Sequence, residues 1–196
     1  MLNRQFAHPR GLLGRLVGRR MARKNATLTR RVVAAAELTG AETVLEIGCG
    51  PGVGLVALAR ALPRGRVLGA EPSGVMRAQA AARVHGYGER VQVVDATADA
   101  LPWPPGTVDV VVAVNSVQLW QPLAGSLARV REVLVPGGHL LVGVTENAVR
   151  SDGSTVPADI DSWLVSKLAR AGFDVVRQEW QPGGNGRELL VVARRG

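Results

Sequence analysis

Cysteine is almost absent from this chain: Cys49 is the only one in 196 residues. A single thiol excludes an internal disulfide framework and suits a reducing compartment, so a cytoplasmic setting is expected. Long apolar runs are absent too, none reaching the ~18 residues that a membrane-spanning helix needs. Histidines number three and aromatics seven, few enough for each to be weighed singly. Acidic side chains are missing from residues 1–31, which hold nine Arg and Lys. The rest of the chain carries fifteen basic and sixteen acidic side chains. The formal charge of +8 therefore belongs to a basic leader in front of a near-neutral body. Lysine is scarce, two residues against 22 arginines, so arginine here is a compositional habit and no sign of phosphate recognition.

What is present describes a globular protein, with 46% hydrophobic and 20% charged residues over a length that one core can serve. Residues 1–24 place Leu12, Leu13, Leu16, Val17 and Met21 among arginines at roughly helical spacing. A leader or lid helix is expected there, packed on the domain at 25–196 or covering its site. Contact with RNA or with an anionic membrane surface is the competing use of such a segment. An Arg-rich, acid-free start also matches an organelle transit peptide, though without a cleavage signal, whereas a secretory signal is not expected for want of a continuous apolar stretch.

A regular alternation follows. A helix is expected over 25–38, ended by Gly40. Strands are expected at 43–47, 66–71, 91–95, 108–115 and 139–145, with helices over 52–62, 73–84, 123–134 and 158–171. The helix over 123–134 is expected to end at Pro136-Gly137-Gly138. The alternation implies an α/β fold, a Rossmann-like three-layer sandwich with a mostly parallel sheet. The Val-rich strand at 108–115 shows no polar alternation, as a strand buried on both faces should. Two further strands, 173–180 and 187–193, are joined by a Gly-rich turn at 181–186. No crossover helix fits between them, so a seven-stranded sheet should close in an antiparallel hairpin.

The stretch Val44 to Leu55, VLEIGCGPGVGL, is a strand, a tight turn and a helix start. In α/β proteins such a turn holds a nucleotide-like ligand. The dinucleotide fingerprint G-x-G-x-x-G fails in either register, because its sixth position falls on Val53 or Leu55. A phosphate-binding P-loop fails as well, for want of the Lys and Ser/Thr pair. What stands here is an acid, Glu46, ahead of Gly48, Gly50 and Gly52. That acid would repel a pyrophosphate and suits a cationic, amine-bearing ligand.

Four segments in order, VLEIGCGPG at 44–52, GAEPSGVM at 69–76, VVDATADALPW at 93–103 and REVLVPGGHLLV at 131–142, make the chain resemble the class I S-adenosylmethionine-dependent methyltransferases. The nearest likeness is to the small-molecule, quinone-biosynthesis-like branch. The resemblance implies S-adenosylmethionine as cofactor. It implies that Gly48, Gly50 and Gly52 wrap the methionine moiety, with Cys49 as a small filler in the loop. Glu46 would orient the loop near the amino group. Glu71 would accept from both ribose hydroxyls, Pro72 and Met76 would pack on the adenine, and Asp95 with the Ala96 amide would meet the adenine amino group. Asn115 would complete the cofactor set.

For the methyl acceptor, the carboxyl edge of the sheet is the relevant one. His85 and His139 precede their strands and belong to the opposite edge. Candidate catalytic residues are Asn115 and Gln118 after the strand at 108–115, Glu146 after the strand at 139–145, and His8 in the leader. Trp103, Trp120 and Trp180 either line an apolar or aromatic acceptor pocket or close the ends of the sheet, while Trp163 reads as helix core. Methyl transfer from a sulfonium needs chiefly alignment, so a dedicated base is not required. No metal-ligand cluster is visible, and the Asn-Pro-Pro-Tyr type motif of amino-methylating nucleic-acid enzymes is replaced by Asn115-Ser116-Val117-Gln118. The expected function is methylation of a small acceptor, the alternative being a basic-armed RNA- or membrane-binding protein that uses this fold as a scaffold.

Overall fold

A computed structural model describes residues 25–148, 150, 154–184 and 186–196. The leader, with His8, lies outside the described residues. Helix α1 (Ala26–Ala35) precedes β1 (Thr43–Ile47), α2 (Val53–Ala61), β2 (Arg66–Ala70), α3 (Gly74–Val84), β3 (Val91–Val94) and β4 (Val108–Val114). Then come α4 (Leu123–Val133), β5 (Leu134–Thr145), α5 (Ile160–Arg170), β6 (Phe173–Gly183) and β7 (Gly186–Arg195). The strands form one sheet in the order β3-β2-β1-β4-β5-β7-β6. β7 runs antiparallel to both its neighbours, and the remaining pairs are parallel.

The central strands are apolar throughout because they serve two cores. Val44, Val110, Val112 and Leu141 pack with Leu28 of α1 and Leu55 and Leu58 of α2. The alternate residues Leu45, Ile47, Val111 and Leu140 pack with Leu127 of α4 and Leu164 of α5 on the other face. Helix α1 lies so close to β5 that a Cβ built on Gly143 would sit 2.7 Å from Val32. Among the described residues, no helix is long and apolar enough to cross a membrane.

Two expectations about the strands need correction. Pro136-Gly137-Gly138 does not stop a helix. α4 already ends where Leu134 turns extended (φ −65°, ψ 144°), and Leu134 pairs with Val108 of β4. The next pair is Val110 with His139, so residues 135–138 bulge out of β5. A Cβ on Gly138 would meet the carbonyls of Asp109 and Val135 at 2.9 Å, which is why a glycine closes the bulge. The Gly-rich stretch at 181–186 is likewise mostly ladder: Gln181 pairs with Glu188, Pro182 with Arg187 and Gly183 with Gly186. β6 is an edge strand, the place in a sheet where proline's missing N–H is tolerated.

β1 and β4 are neighbours, and the chain moves outward from them in both directions. That is the switch point of an open α/β sheet, and the crevice beyond the strand ends is where ligands bind.

Candidate active site

The crevice is a cavity of about 340 Å³. Its wall comes from the ends of four parallel strands and from α1: Glu46 to Pro51 with Val53 and Gly54 at β1, Glu71, Pro72 and Met76 after β2, Ala96 to Asp99 after β3, and Val114 to Ser116 at the end of β4, while the expected Gly52 is not among the lining residues. Asn25 and Thr29 add the α1 side, and Leu119, Trp120 and Gln121 close the β4 side.

The glycine loop is drawn tight over β2. The N–H groups of Gly48 and Cys49 both donate to the Ala70 carbonyl, at 2.8 and 3.3 Å. Gly48 adopts φ +71°, and a Cβ there would lie 2.5 Å from Cβ of Ser116. Any side chain would push β1 and β4 apart at the switch point. Ser116 in turn donates its hydroxyl to the Ile47 carbonyl at 2.6 Å.

Glu46 is 4% exposed, and its Oε2 has no hydrogen-bond partner. Burial, and then the Glu71 carboxylate, push its pKa up to about 8 against one backbone hydrogen bond from Leu55. Glu71 is also raised, chiefly by burial. Its Oε2 accepts from Gly50 N and its Oε1 from Ser73 N, both at 2.9 Å. Each carboxylate oxygen has two lone-pair sites, so capacity for ligand hydroxyls remains. The Cys49 thiol is pushed well up by burial and by both acids, which makes it a poor nucleophile.

Asp95 stands apart from the other expected cofactor residues. Its side chain is 67% exposed and pairs with Arg77 Nη2 at 2.7 Å, while the cavity wall there is Ala96 to Asp99. Asp95 therefore stands at the exposed rim, outside the described lining residues. The cause is Arg77, which also donates to the carbonyls of Glu71 and Pro72 at 2.9 and 2.8 Å. Arg77 supports the Glu71 turn from behind and holds Asp95 on the outside.

Of the catalytic candidates, Asn115 reaches the wall but is engaged at both ends of its amide. It sits at φ +49°. Its Oδ1 accepts from Thr145 N at 2.8 Å and Thr145 Oγ1 at 3.3 Å, and its Nδ2 donates to Asn25 Oδ1 at 3.0 Å. It braces β4, β5 and α1 and has no free lone pair suited to a base. Gln118 donates to the Asn115 carbonyl at 2.9 Å and is not on the wall; neither is Glu146, which is exposed. Trp120 lines the cavity. Trp103 and Trp163 pack against the core, and Trp180 donates its indole N–H to Asp161 at 3.1 Å beneath the Arg187 guanidinium. Among the described residues no group of three or more His, Cys, Asp and Glu could hold a metal. Asn25, Thr29 and Thr97 are wall residues that sequence reasoning missed, because nothing in a helix periodicity says which of its ends meets a distant strand edge.

The cavity fits an amine-bearing, phosphate-free cofactor. A buried carboxylate oxygen awaits a partner at Glu46. A Cβ on Gly50 would meet nothing within 4 Å, so this loop leaves room at the wall for a ligand. Comparison with known proteins agrees. A family described as a methyltransferase domain matches residues 44–138. A trans-aconitate 2-methyltransferase of Methylobacterium radiotolerans is 31% identical over 150 residues, 71% of this chain and 55% of the relative. An uncharacterized 37.1 kDa protein in a Streptomyces fradiae transposon is 38% identical over 103 residues, 52% of this chain and 30% of the relative. The chain thus spans about a third to a half of these relatives. The crystal structure of a SAM-dependent methyltransferase from Aquifex aeolicus shares the fold, with TM-score 0.75 and 20% identity over 89% of this chain and 93% of that one. The finer likeness to a quinone-biosynthesis branch receives no support from these relatives. Residues 44–138 belong to the methyltransferase-domain family, on a fold shared with the S-adenosylmethionine-dependent methyltransferases.

Proposed function

We propose that the protein methylates a small, predominantly apolar acceptor at the crevice between β1 and β4. The observation that carries this reading is the continuity of the cavity, which joins the Glu46–Glu71 side to a wall of Val114, Leu119 and Trp120. When bound, S-adenosylmethionine would supply an electrophilic methyl group on a sulfonium. Glu46 would hold the cofactor's amino group, Glu71 its ribose hydroxyls, and Pro72, Met76 and Ala96 its adenine. Asn115 and Ser116 act through shape: one braces β4 against α1, the other locks β4 to β1, and together they fix where an acceptor can lie. Alignment of this kind supplies much of the barrier reduction for a displacement at carbon.

The ionisable carboxylates on the described wall are Glu46, Glu71 and Asp99. No Arg or Lys is among the described lining residues to pair with an acceptor bearing several carboxylates, so the trans-aconitate named for the relatives is not the acceptor proposed for this chain. The reading is tested by incubating the protein with methyl-labelled S-adenosylmethionine and fractionated metabolites. Label should enter a neutral, organic-extractable product. Labelling of trans-aconitate alone would overturn the acceptor class. Failure of both S-adenosylmethionine and S-adenosylhomocysteine to raise the melting temperature would overturn the cofactor assignment.

A further inference from the structure

The amino edge of the sheet carries a second hollow, away from the crevice. It is a groove of about 590 Å³ between the end of α1, the β5 bulge and the closing hairpin. Helix α1 packs chiefly on β4, β5 and β7, and the start of β6 is left as the open wall of the groove. Leu38, Val110, Val135, Leu141, Val176 and Val192 make the lining largely apolar. Val176 is 58% exposed, the one large apolar side chain among the described residues to stand so open. It is the extra residue of a bulge in β6, where pairing with β7 steps from Val175 to Arg177.

The rim of this groove is acidic. Glu37, Glu42 and Asp109 line it, and among the described residues none of the three pairs with an Arg or Lys. Against burial, hydrogen bonds from Thr39 and Gly40 hold the Glu42 pKa down to about 2, so its charge is fixed. Arg177, the arginine among the described lining residues, is already matched by Glu179 at 2.8 Å. Glu37 keeps its acid at a cost, since its φ of +48°, just beyond the end of α1, is a backbone that favours glycine.

An apolar groove rimmed by unpaired carboxylates fits a basic amphipathic helix. The chain itself has a segment of that chemistry: residues 1–24 set Leu12, Leu13, Leu16, Val17 and Met21 among arginines, with no acid. Its length matches the distance to be covered. Helix α1 starts beside Asn25, on the crevice wall, and ends at Ala35, on the groove wall. Its ten residues span ~15 Å. Residues 12–21, in the helical form that their spacing predicts, span the same ~15 Å. A turn over 22–25 lies within the about two to five residues that join antiparallel helices. Such a turn returns Leu12 and Leu13 to the level of the groove.

We propose that the groove is the docking site of the chain's own leader. The leader folds back beside α1, with its leucines over Val176 and Leu38 and its arginines against Glu37, Glu42 and Asp109. This docking covers the open flank of the sheet and leaves residues 22–24 at the mouth of the crevice. It holds whatever acceptor the crevice takes.

Trypsin cuts after arginine, so the leader reports its own docking. The full chain and a synthetic peptide of residues 1–24 would be digested side by side, with the first cuts after Arg15, Arg19 and Arg20 timed by mass spectrometry. Cutting tracks the population of the open form, so these bonds should be cut at least about tenfold more slowly in the full chain than in the peptide. The protection should be the same at every protein concentration. Glu37→Lys combined with Val176→Asp, both at exposed positions, should bring the rate close to that of the peptide. Ala124→Asp, at an exposed position of α4 on the opposite face of the sheet, should leave the protection intact. Bonds cut as fast in the full chain as in the peptide overturn the inference with no variant needed. Protection that survives the groove variant places the leader elsewhere and overturns it too. Protection that fades on dilution assigns the groove to the leader of a second copy, and equal loss of protection in Ala124→Asp removes the groove's special role; either result overturns the inference.

Discussion

Gly54 leaves out a side chain that Glu46 needs gone: a Cβ built on Gly54 would lie 2.1 Å from Glu46 Oε1 and 2.6 Å from Oε2. Gly54 is the second residue of α2, where glycine is a poor helix former. Gly54→Ala thus sets two effects against each other. Helix propensity favours alanine by ~1 kcal/mol, while overpacking against the carboxylate costs ~1–3 kcal/mol. The unfolding midpoint should move little. The carboxylate, forced from its place, should lose its ligand contact, and affinity for S-adenosylmethionine should fall at least about tenfold, which is ~1.4 kcal/mol. Calorimetry beside a urea titration separates the two.

Protonation of Glu46 links the cofactor site to pH. Its folded pKa is about 8 against an ordinary value of 4.5, so the folded state holds an extra proton between those limits. Stability of the free protein should therefore be highest on the acid side of this window and fall as pH rises from about 4.5 to 8, by up to the order of 4 kcal/mol. A cationic ligand favours the ionised form, so the sign for binding is opposite. Affinity should rise with pH toward 8, and near pH 7 binding should release close to one proton. Calorimetry in buffers of different ionisation enthalpy measures that release. Glu46→Gln should abolish it, and should also stabilise the free protein at pH 9.

Asn115 holds a left-handed backbone that few side chains accept. Asn and Gly visit it readily, whereas alanine costs about 1 kcal/mol more. Its amide also bridges Asn25 and Thr145. Asn115→Gly should lose the bridges alone, ~1–2 kcal/mol, and Asn115→Ala should lose roughly 1 kcal/mol more. Chemical denaturation of the pair, with alanine no worse than glycine, would refute the assignment of backbone strain.

Removal of residues 1–24 tests the proposed role of the basic leader in completing the acceptor pocket. The leader joins the domain at Asn25, itself on the cavity wall. The truncated protein should keep its fold by circular dichroism and lose turnover or cofactor retention. Unchanged kinetics would refute that role, and a salt-dependent RNA affinity lost with the leader would favour the scaffold alternative.

The alternation of strand and helix was readable because it rests on periodicity and on glycine and proline punctuation, both local properties. β1 at Thr43–Ile47 coincides with its expected limits, since Gly48 ends it with a positive φ. Glu46, Glu71 and the glycine loop were readable for the same reason: strand ends at a switch point are placed by topology. The pairing of Asp95 was not, because it depends on Arg77, eighteen positions earlier, reaching across from α3. Asn25 and Thr29 were not, because the docking of α1 is set by Gly143, a contact between segments over a hundred residues apart. The Pro136–Gly138 bulge and the long β6–β7 ladder deceived a reading that takes every glycine as a stop.

Arg31 and Glu188 fasten α1 to the closing hairpin. Arg31 Nη1 meets Glu188 Oε2 at 2.7 Å, and Nη2 donates to the Pro182 carbonyl at 2.6 Å. Glu188 is buried and its other oxygen has no partner, so the arginine neutralises an acid with little water to help it. Removing one partner of a buried pair costs ~3–5 kcal/mol, whereas replacing both with apolar residues is often close to neutral. Arg31 is part-exposed, so Arg31→Ala should fall nearer the lower figure, and Arg31→Met with Glu188→Leu should recover most of it. The single replacement should also loosen Asn25 and Thr29, which ride on the same helix, and so weaken cofactor or acceptor binding beyond what lost stability explains. A double-mutant cycle read in both denaturation and S-adenosylhomocysteine affinity decides this: a coupling seen in stability and absent from affinity would make the pair a fastening of the fold with no bearing on the cavity.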